Sequence, residues 1–582
     1  MGHVDLSRVG LVRPDGRPLL HEVSFRVVEG SVTALVGPNG VGKSTVLRLV
    51  AGEQAPDEGA VSRSGGVAVL RQDVGRAGPG AEGVVRDLLV QTCAPRLREA
   101  LLELDGAEAA LLEREDDEAA QMRYAQAVVD AGDAGGYEVE VRWDALTRSA
   151  LGLPYDRCRW RALGTLSGGQ AKRLAVEALL AGPEEVLVLD EPDNSLDVPT
   201  KRWLEDALAR TPKAVLLVSH DREVLARTAT AVVALEPGPH GARSWVHGGG
   251  FGTWHEARRA RTERLEELRR RWDEEHGALR ALVVSLRQKA TFNDSLSSRY
   301  QAARTRLERF EAAGPPPEPP QQRSVRMRLR GGRTGRRAVV LERLSVPGLL
   351  QPADLEVWFG DRVALLGPNG SGKSHLLRLL AAGGTDPGPE HAPATSDTPL
   401  EPVPHHGTAR LGARVRPGWF SQRDRGADVA TGAAGPGAGR GSPTLLDVLH
   451  RGEGGRAGRG REEASRALDR YGLAGAAEQP PGQLSGGQQA RFQVLLLELS
   501  GATLLLLDEP TDDLDLESAE ALEQALDTFE GTVVAVTHDR WFARGMDRFL
   551  VLGSDGRLTE VPEPVWEAQP AEGLRARASG PL

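Results

Sequence analysis

The sequence predicts an α/β protein in which two copies of a parallel-sheet domain are joined by an α-helical hairpin. Four short motifs occur twice, in the same order, along the 582 residues. Short apolar segments precede the motifs and helical segments follow them, which is typical of parallel sheets covered on both faces. Between the copies, apolar residues recur at spacings of three and four, the pattern of amphipathic helices.

Composition is that of a folded soluble protein. Hydrophobic residues make up 40% and charged residues 26% of the chain, which are ordinary values. No apolar run approaches the roughly 20 residues that cross a bilayer, and the first residues lack a signal-peptide pattern. Two cysteines, Cys93 and Cys158, are too few for a disulfide framework and fit a reducing compartment. We therefore expect a cytoplasmic protein without a membrane domain.

The internal repeat predicts the domain organisation. The repeated motifs begin at Gly37 and Gly367, at Leu166 and Leu484, at Leu189 and Leu507, and at Ser219 and Thr537. From the glutamate of the third motif to the histidine of the fourth is 29 residues in both copies. The predicted units are a first domain at 1–250 with a helical insert at about 97–131, a linker at 251–337, a second domain at 338–562, and a disordered tail at 563–582.

Each motif is expected at the end of a strand or the start of a helix. Predicted strands lie at 31–36, 186–189 and 214–218 in the first copy and at 362–366, 504–507 and 532–536 in the second. Predicted helices follow the first motif at 44–50 and 374–380. The segments 383–417 and 426–460 are rich in Gly, Pro and Ala, so we predict surface loops there.

The first motif has the pattern G-x-x-x-x-G-K-S, which predicts a phosphate-binding loop for ATP. Backbone N–H groups and the following helix N-terminus favour phosphate, and the lysine reaches the β and γ phosphates. The serine hydroxyl is suited to Mg²⁺. The predicted nucleotide-binding residues are Gly37, Pro38, Asn39, Gly40, Val41, Gly42, Lys43, Ser44 and Thr45 in the first copy and Gly367, Pro368, Asn369, Gly370, Ser371, Gly372, Lys373, Ser374 and His375 in the second.

The third motif places an acidic pair after an apolar strand. Asp190 and Asp508 are the first residues of these pairs, and their carboxylates should emerge at the carboxyl edge of the sheet beside Mg²⁺. The next residues, Glu191 and Glu509, are predicted to polarise the attacking water. The sequence therefore predicts hydrolysis of ATP with Mg²⁺.

The Leu-Ser-Gly-Gly-Gln segments resemble the signature motif of the ATP-binding cassette family, a P-loop NTPase family. The resemblance implies that each signature caps the γ-phosphate of the nucleotide held by the opposite domain. The implied contacts are Ser167, Gly168, Gly169 and Gln170 in one domain and Ser485, Gly486, Gly487 and Gln488 in the other. It further implies Q-loop and metal residues Gln72 and Gln422, D-loop residues Asp197 and Asp515, and catalytic switch histidines His220 and His538.

The same resemblance implies two composite sites formed head to tail. One combines Lys43 and Asp190 with Ser485 and Gly487, and the other combines Lys373 and Asp508 with Ser167 and Gly169. Both keep the glutamate and the histidine, so both are predicted to hydrolyse ATP. Two features depart from the family pattern: Arg13 stands near the expected adenine-stacking aromatic, and 193–195 and 511–513 differ from Thr-Asn-His.

The linker carries the signal for a partner. Residues 258–337 contain 21 Arg and Lys against 10 Asp and Glu, a balance of +11 in a chain of net charge -10. Two helical patterns, with an N-cap at 293–295 and a stop at Gly314, predict a hairpin whose first helix extends on the order of 50 Å. Such a segment is suited to an anionic partner.

A long basic hairpin between two cassettes resembles the ABC-F family, and the insert at about 97–131 resembles that family's arm. The resemblance implies a monomeric chain that binds the ribosome at the exit-tRNA site and points its linker toward the P-site tRNA and the peptidyl-transferase centre. ATP would close the domains, and hydrolysis would release the protein. Translation regulation and antibiotic resistance by ribosome protection are both open as the outcome.

Two other functions stay open from the sequence. A transport ATPase that docks on separate membrane subunits would associate with membranes through its Q-loop face and would need no basic hairpin. A DNA- or RNA-repair ATPase with tandem cassettes would often carry zinc-binding cysteines, and this chain has only Cys93 and Cys158.

Overall fold

A computed structural model describes residues 2–71, 83–113, 117–194, 196–290, 297–320, 325–388, 391, 400–421, 443–452 and 457–566. Gln72, Gln422, the linker N-cap at 293–295 and most of the predicted tail lie outside these residues. Within the described part of the chain, no helix is both long enough and apolar enough to cross a membrane.

The first domain is built on a six-stranded sheet whose order is β5-β6-β7-β3-β8-β9. All its neighbouring strands are parallel except the edge pair of β8 and β9. A three-stranded antiparallel sheet, β2-β1-β4, lies beside it. The elements are β1 (His3–Val12), β2 (Pro18–Val28), β3 (Val32–Val36), α1 (Lys43–Ala51), β4 (Glu58–Ser64), β5 (Val67–Leu70), α2 (Val85–Gln91), α3 (Pro95–Glu113), α4 (Glu118–Asp133), α5 (Gly136–Leu151), α6 (Tyr155–Cys158), α7 (Gly168–Ala181), β6 (Val186–Asp190), α8 (Val198–Arg210), β7 (Ala214–Val218), α9 (Arg222–Thr228), β8 (Ala231–Glu236) and β9 (Arg243–His247).

Both faces of this sheet are buried, which explains the fully apolar strands. Leu187 and Leu189 of β6 pack into a core with α2, α5 and α7. Val186 and Val188 face the other way, into a core with β1, β2 and α1. Helices α3 and α4 occupy the segment predicted as an insert and pack on each other.

The linker is a helical hairpin, as the sequence predicts. Helix α10 (Phe251–Ala290) has 40 residues and α11 (Ser297–Ala313) has 17. At 1.5 Å per residue, α10 is about 60 Å long. The rings of Trp272 and Phe310 stack with centroids 5.3 Å apart, and His276 Nε2 lies 2.8 Å from Glu311 Oε1. Gly314 has φ 73°, the left-handed conformation that ends a helix.

The second domain repeats the architecture, with a six-stranded sheet in the order β14-β15-β16-β12-β17-β18 and an antiparallel sheet, β11-β10-β13. Among the described strands of the larger sheet, β17 and β18 pair antiparallel and the other neighbours are parallel. The elements are β10 (Arg337–Val346), β11 (Leu350–Trp358), β12 (Arg362–Leu366), α12 (Lys373–Ala381), β13 (His406–Leu411), β14 (Pro417–Phe420), α13 (Leu445–Arg451), α14 (Arg461–Arg470), α15 (Gly486–Ser500), β15 (Leu504–Asp508), α16 (Leu516–Asp527), β16 (Thr532–Val536), α17 (Arg540–Arg544), β17 (Arg548–Leu552) and β18 (Leu558–Val561).

Three expectations need correction. The segment 383–417, predicted as a loop, contains β13, which pairs with β10 and completes the antiparallel sheet. The segment 426–460 contains α13, which begins at a reciprocal cap where Thr444 and Asp447 bond each other's backbone N–H at 3.2 Å. Trp566, within the predicted tail, is only 7% exposed and packs in the second domain's core.

Replacing Trp272 with alanine should loosen the hairpin. A stacked aromatic pair contributes about 0.5–1.5 kcal/mol beyond its buried area, so we expect local opening to become easier by about 2 kcal/mol once the lost area is included. Amide hydrogen exchange in α11 should then accelerate about 30-fold. Leu268→Ala is the control, because Leu268 lies on α10 and is 42% exposed. Equal exchange in both variants would show that the stack does not hold the helices together.

Candidate ATP-hydrolysis sites between the domains

Each glycine-rich loop lies at the carboxyl end of a central strand and opens a helix. β3 leads into α1, and β12 leads into α12. Gly42 and Gly372 precede these helices with φ of 115° and 99°, which glycine adopts without a steric penalty. The N-terminal amides of α1 and α12 therefore lie at the sheet edge where phosphate groups are commonly bound.

The loop lysines are buried and held by their own loops. Lys43 Nζ donates to the Gly37 carbonyl at 2.7 Å, and Lys373 Nζ donates to the carbonyls of Gly367 and Pro368 at 2.8 and 2.7 Å. Burial lowers the pKa of both ammonium groups. Their position inside the curve of the loop is the one expected for contact with the β and γ phosphates.

The acidic pairs stand at the ends of β6 and β15, and the second residue of each pair has unusual backbone geometry. Glu191 and Glu509 have φ of 49° and 48°, a conformation that is costly for a non-glycine residue and that marks functional sites. Burial and the neighbouring charge of Glu191 raise the pKa of Asp190 to about 6. Burial, followed by the charges of Asp512 and Asp508, raises the pKa of Glu509 well above its ordinary value. Crowded carboxylates of this kind favour a cation between them.

The switch histidines lie beside these glutamates. His220 Nε2 is 3.7 Å from Glu191 Oε1, and His538 Nε2 is 3.5 Å from Glu509 Oε1. Burial, and then the charge of the phosphate-loop lysine, lowers the pKa of His220 to about 4 and the pKa of His538 well below its ordinary value. Both shifts favour the neutral imidazole, which can donate a hydrogen bond from one ring nitrogen and accept one at the other.

The Ser and Gln of the signature segments have a structural role of their own. Ser167 Oγ accepts from the Gln170 N–H at 3.2 Å, and Gln170 Oε1 accepts from the Ser167 N–H at 3.1 Å. Ser485 and Gln488 repeat this reciprocal cap at 3.4 and 3.0 Å. The caps start α7 and α15, and the intervening glycines keep the first turn of each helix free of bulky side chains.

Each signature segment lies against the phosphate loop of the opposite domain. One cavity, of about 590 Å³, is lined by the signature 166–169 together with the phosphate loop 369–375, Asp508, Glu509 and His538. On the other side of the interface, Asn39 Nδ2 is 3.5 Å from the Asp513 carbonyl. A Cβ placed on Gly487 would lie 2.4 Å from the same Asn39 nitrogen.

The D-loop aspartates also act across the interface. Asp515 Oδ2 accepts from the Asn39 N–H at 3.1 Å, and its charge favours the protonated form of Lys43. Asp197 caps α8 and in the same way favours the protonated form of Lys373. The structure thus places the second phosphate loop beside the signature 166–169, and the first phosphate loop beside Gly487 and Asp515. Gln72 and Gln422 lie outside the described chain.

Charged residues that pair across the interface were missed from the sequence, and two arginine–glutamate pairs are examples. Arg222 Nη1 bonds Glu523 at 2.9 Å, and Arg540 Nη1 bonds Glu205 at 3.3 Å. These are reciprocal ion pairs between the domains. Each arginine stands two residues after a switch histidine, so its repetition in both copies was the available signal.

Arg13 stands near the position where the family pattern has an aromatic side chain that stacks on adenine. Its Nη2 donates to the Gly40 carbonyl at 3.2 Å. The guanidinium therefore lies on the first phosphate loop.

Comparison with known proteins agrees with this geometry. The ABC transporter family model matches residues 20–194 and 350–512. An antibiotic resistance protein of Mycobacteroides abscessus is 57% identical over 97% of this chain and 100% of its own length. The tylosin resistance ATP-binding protein TlrC of Streptomyces fradiae is 34% identical over 91% and 93%. The energy-dependent translational throttle protein EttA of Mycobacterium tuberculosis is 28% identical over 90% and 86%.

A solved structure supports the fold alone. A protein described as RNase-L Inhibitor aligns with a TM-score of 0.52 at 19% identity, over 96% of this chain and 90% of that one. The overall architecture of this chain therefore occurs in a solved structure.

Proposed function

The chain belongs to the ABC transporter family and to its ABC-F branch of tandem-cassette ATPases, and from that premise we propose that it acts on the ribosome. In this proposal, the ATP-bound chain closes and binds the ribosome in the cytoplasm, with the linker directed toward the P-site tRNA and the peptidyl-transferase centre. ATP hydrolysis releases it.

Each composite site is proposed to hydrolyse one ATP. Lys43 and Lys373 contact the phosphates, Glu191 and Glu509 polarise the attacking water, and the histidines orient these glutamates. Mg²⁺ would be held by Ser44, Gln72 and Asp190 in one site and by Ser374, Gln422 and Asp508 in the other. When bound, this ion neutralises charge on the β and γ phosphates. Two observations support these residues as Mg²⁺ ligands. Ser44 and Asp190 form a hydrogen bond, and Ser374 and Asp508 line the same cavity.

Closure depends on contacts that span the interface. A γ-phosphate at a phosphate loop would meet the N-terminus of the opposite signature helix, either α7 or α15, whose dipole favours an anion. Nucleotide with three phosphates would therefore stabilise the closed arrangement more than ADP does. Loss of the γ-phosphate removes this contact and favours opening.

The observation that carries the ribosome proposal is the basic hairpin. Helix α10 is about 60 Å long, and most of it lies in the segment 258–337, whose charge balance is +11. Arginines on such a prong would contact RNA phosphates, which gives salt-dependent affinity, and would recognise RNA mainly by shape. The relatives' names, which refer to antibiotic resistance and to translational throttling, support translation regulation or ribosome protection.

Sedimentation with ribosomes tests the proposal. The double variant Glu191→Gln/Glu509→Gln should hydrolyse poorly and stay closed with ATP, so it should pellet with ribosomes in ATP but not in ADP. The bound fraction should fall at least about tenfold as salt rises from about 50 to 200 mM, because phosphate contacts release counterions.

A matched variant separates the hairpin from the ATP sites. With 287–299 replaced by a Gly/Ser loop, ATPase activity should persist while ribosome binding is lost. Free double variant at the top of the gradient would contradict the proposal. Pelleting with membrane vesicles instead would favour the alternative, an ATPase subunit that docks on separate membrane subunits.

A further inference from the structure

The two domains differ at a buried position of their shared framework. Asp197 and Asp515 cap the equivalent helices α8 and α16, and each accepts the backbone N–H three residues further on, at 3.1 and 3.0 Å. The next residue is Lys201 in the first domain and Ala519 in the second. The first domain thus carries a cation where the second carries a methyl group.

A second difference accompanies the first. After the acidic pair and its proline, the first domain has Asp193 and the second has Thr511. Asp193, Lys201 and Asp221 are only 6%, 6% and 7% exposed, and all three line the cavity between the domains. An extra anion and an extra cation therefore occur together in one buried cluster, which is the arrangement that buried charges require.

Lys201 connects the two domains. Its Nζ lies 2.9 Å from Asp221 Oδ2 and donates to the His538 carbonyl of the second domain at 3.4 Å. Burial acts to lower the pKa of Lys201, but the charges of Asp221 and Asp193 outweigh it and hold the pKa above its ordinary value. The protonated form of Lys201 is therefore favoured, and its ammonium contacts the backbone of His538.

We propose that Lys201 is a positioning residue for the composite site formed by the phosphate loop 367–374 and the signature 166–170. Its ammonium holds the His538 backbone from the opposite domain, with Asp193 and Asp221 as counter-ions. In the other composite site the equivalent residue is Ala519, which has no side-chain donor. The two ATP sites are thus inequivalent. The site at the phosphate loop 367–374 depends on a cation supplied by the first domain.

This role follows from where the contact lies. Lys201 bonds the His538 carbonyl, and His538 Nε2 lies 3.5 Å from Glu509 Oε1. A shift of about 1 Å in a group that orients a reacting centre can cost on the order of 100-fold in rate. Lys201 therefore acts through His538, and its loss should lower the rate constant of hydrolysis without weakening ATP binding in proportion.

The test rests on the proposed assignment of the composite sites and measures them one at a time. In a Glu191→Gln background, single-turnover phosphate release reports the site that contains Glu509. In a Glu509→Gln background, it reports the site that contains Glu191. The quantity compared is the ratio of the first rate constant to the second, together with ATP affinity and melting temperature.

The double variant Asp193→Thr/Lys201→Ala gives the first domain the residues of the second. It removes the carboxylate and the ammonium together. We expect this ratio to fall at least about fivefold, while ATP affinity stays within about twofold. Lys201→Arg keeps the charge, so its ratio should stay within about twofold of the ratio measured with Lys201. Lys213→Ala is the control, because Lys213 also bonds two backbone carbonyls, at 3.0 and 2.7 Å, away from the cavity.

The outcomes separate two kinds of failure. A folded double variant with an unchanged ratio overturns the role of Lys201 while leaving the site assignment intact. If Glu191→Gln and Glu509→Gln do not each stop hydrolysis at the site that contains the replaced glutamate, the site assignment is wrong. This inference then fails with it. Equal losses of rate and ATP affinity would indicate a general interface defect and would also overturn the positioning role.

Discussion

Replacing Gly487 with alanine should slow ATP hydrolysis about 30- to 150-fold. A Cβ at this position would lie 2.4 Å from Asn39 Nδ2 in the opposite domain and 2.9 Å from the Asp513 carbonyl. Overpacking of this kind costs about 2–3 kcal/mol, which corresponds to that loss of rate when the closed arrangement is required for turnover. Steady-state kcat for ATP measures the effect.

The same substitution has two opposing effects within the second domain. Gly487 is in the first turn of α15, where alanine is about 1 kcal/mol more favourable than glycine. The new Cβ also lies 2.9 Å from the Asp513 carbonyl of the same domain, which offsets this gain. The melting temperature of the nucleotide-free variant should therefore change by at most about 4 °C. Gly482→Ala is the matched control, because no atom lies within 4 Å of a Cβ there. A Gly487→Ala protein with normal kcat would mean that Asn39 and α15 separate during turnover.

Reversing the charge of Glu205 should disfavour closure by about 3–5 kcal/mol, because breaking a buried ion pair leaves a charge without its partner. Glu205 and its partner Arg540 are 3% and 5% exposed, and they belong to different domains. With Glu205→Arg, the closed fraction in ATP should fall more than 100-fold relative to the open fraction. Fluorescence energy transfer between labels on the two domains measures that ratio.

A charge-swap cycle distinguishes pairing from general damage. The double variant Glu205→Arg/Arg540→Glu should recover part of the closure, but not all of it, because Asp221 Oδ1 lies 3.9 Å from Arg540 Nη2. Asp206→Arg on the same helix is the control. Asp206 forms an exposed pair with Arg210 at 3.8 Å, and such pairs contribute at most about 1 kcal/mol. No recovery in the swap would show that Glu205 acts through other contacts.

Local elements were predictable where one short segment contains its own signal. The strands at 214–218, 362–366 and 532–536 agree with β7, β12 and β16 residue for residue. Each is a run of five residues, mostly or wholly apolar, that ends at a motif, and each lies at the centre of a sheet buried on both faces. A strand, the phosphate loop after it and the following helix are specified by one continuous segment, without residues from elsewhere in the chain.

Elements that depend on distant partners were missed. β13 contains Gly407 and lies in a segment rich in Gly and Pro, so it has no strand signal of its own. It forms because β10, more than 60 residues earlier, offers an edge to pair with. The antiparallel sheets of both domains are defined by such pairings.

The sequence by itself determined the chemistry of each half, because a phosphate loop, an acidic pair and a switch histidine are specified by residue type and short spacing. The signature segments implied that the halves meet head to tail, but only the tertiary structure decided which charged residues pair between them. Arg540 bonds a glutamate 335 positions away, and Lys201 reaches a carbonyl 337 positions away. The partner of a buried charge depends on which surfaces dock and exclude water, and no local pattern in the chain records that choice.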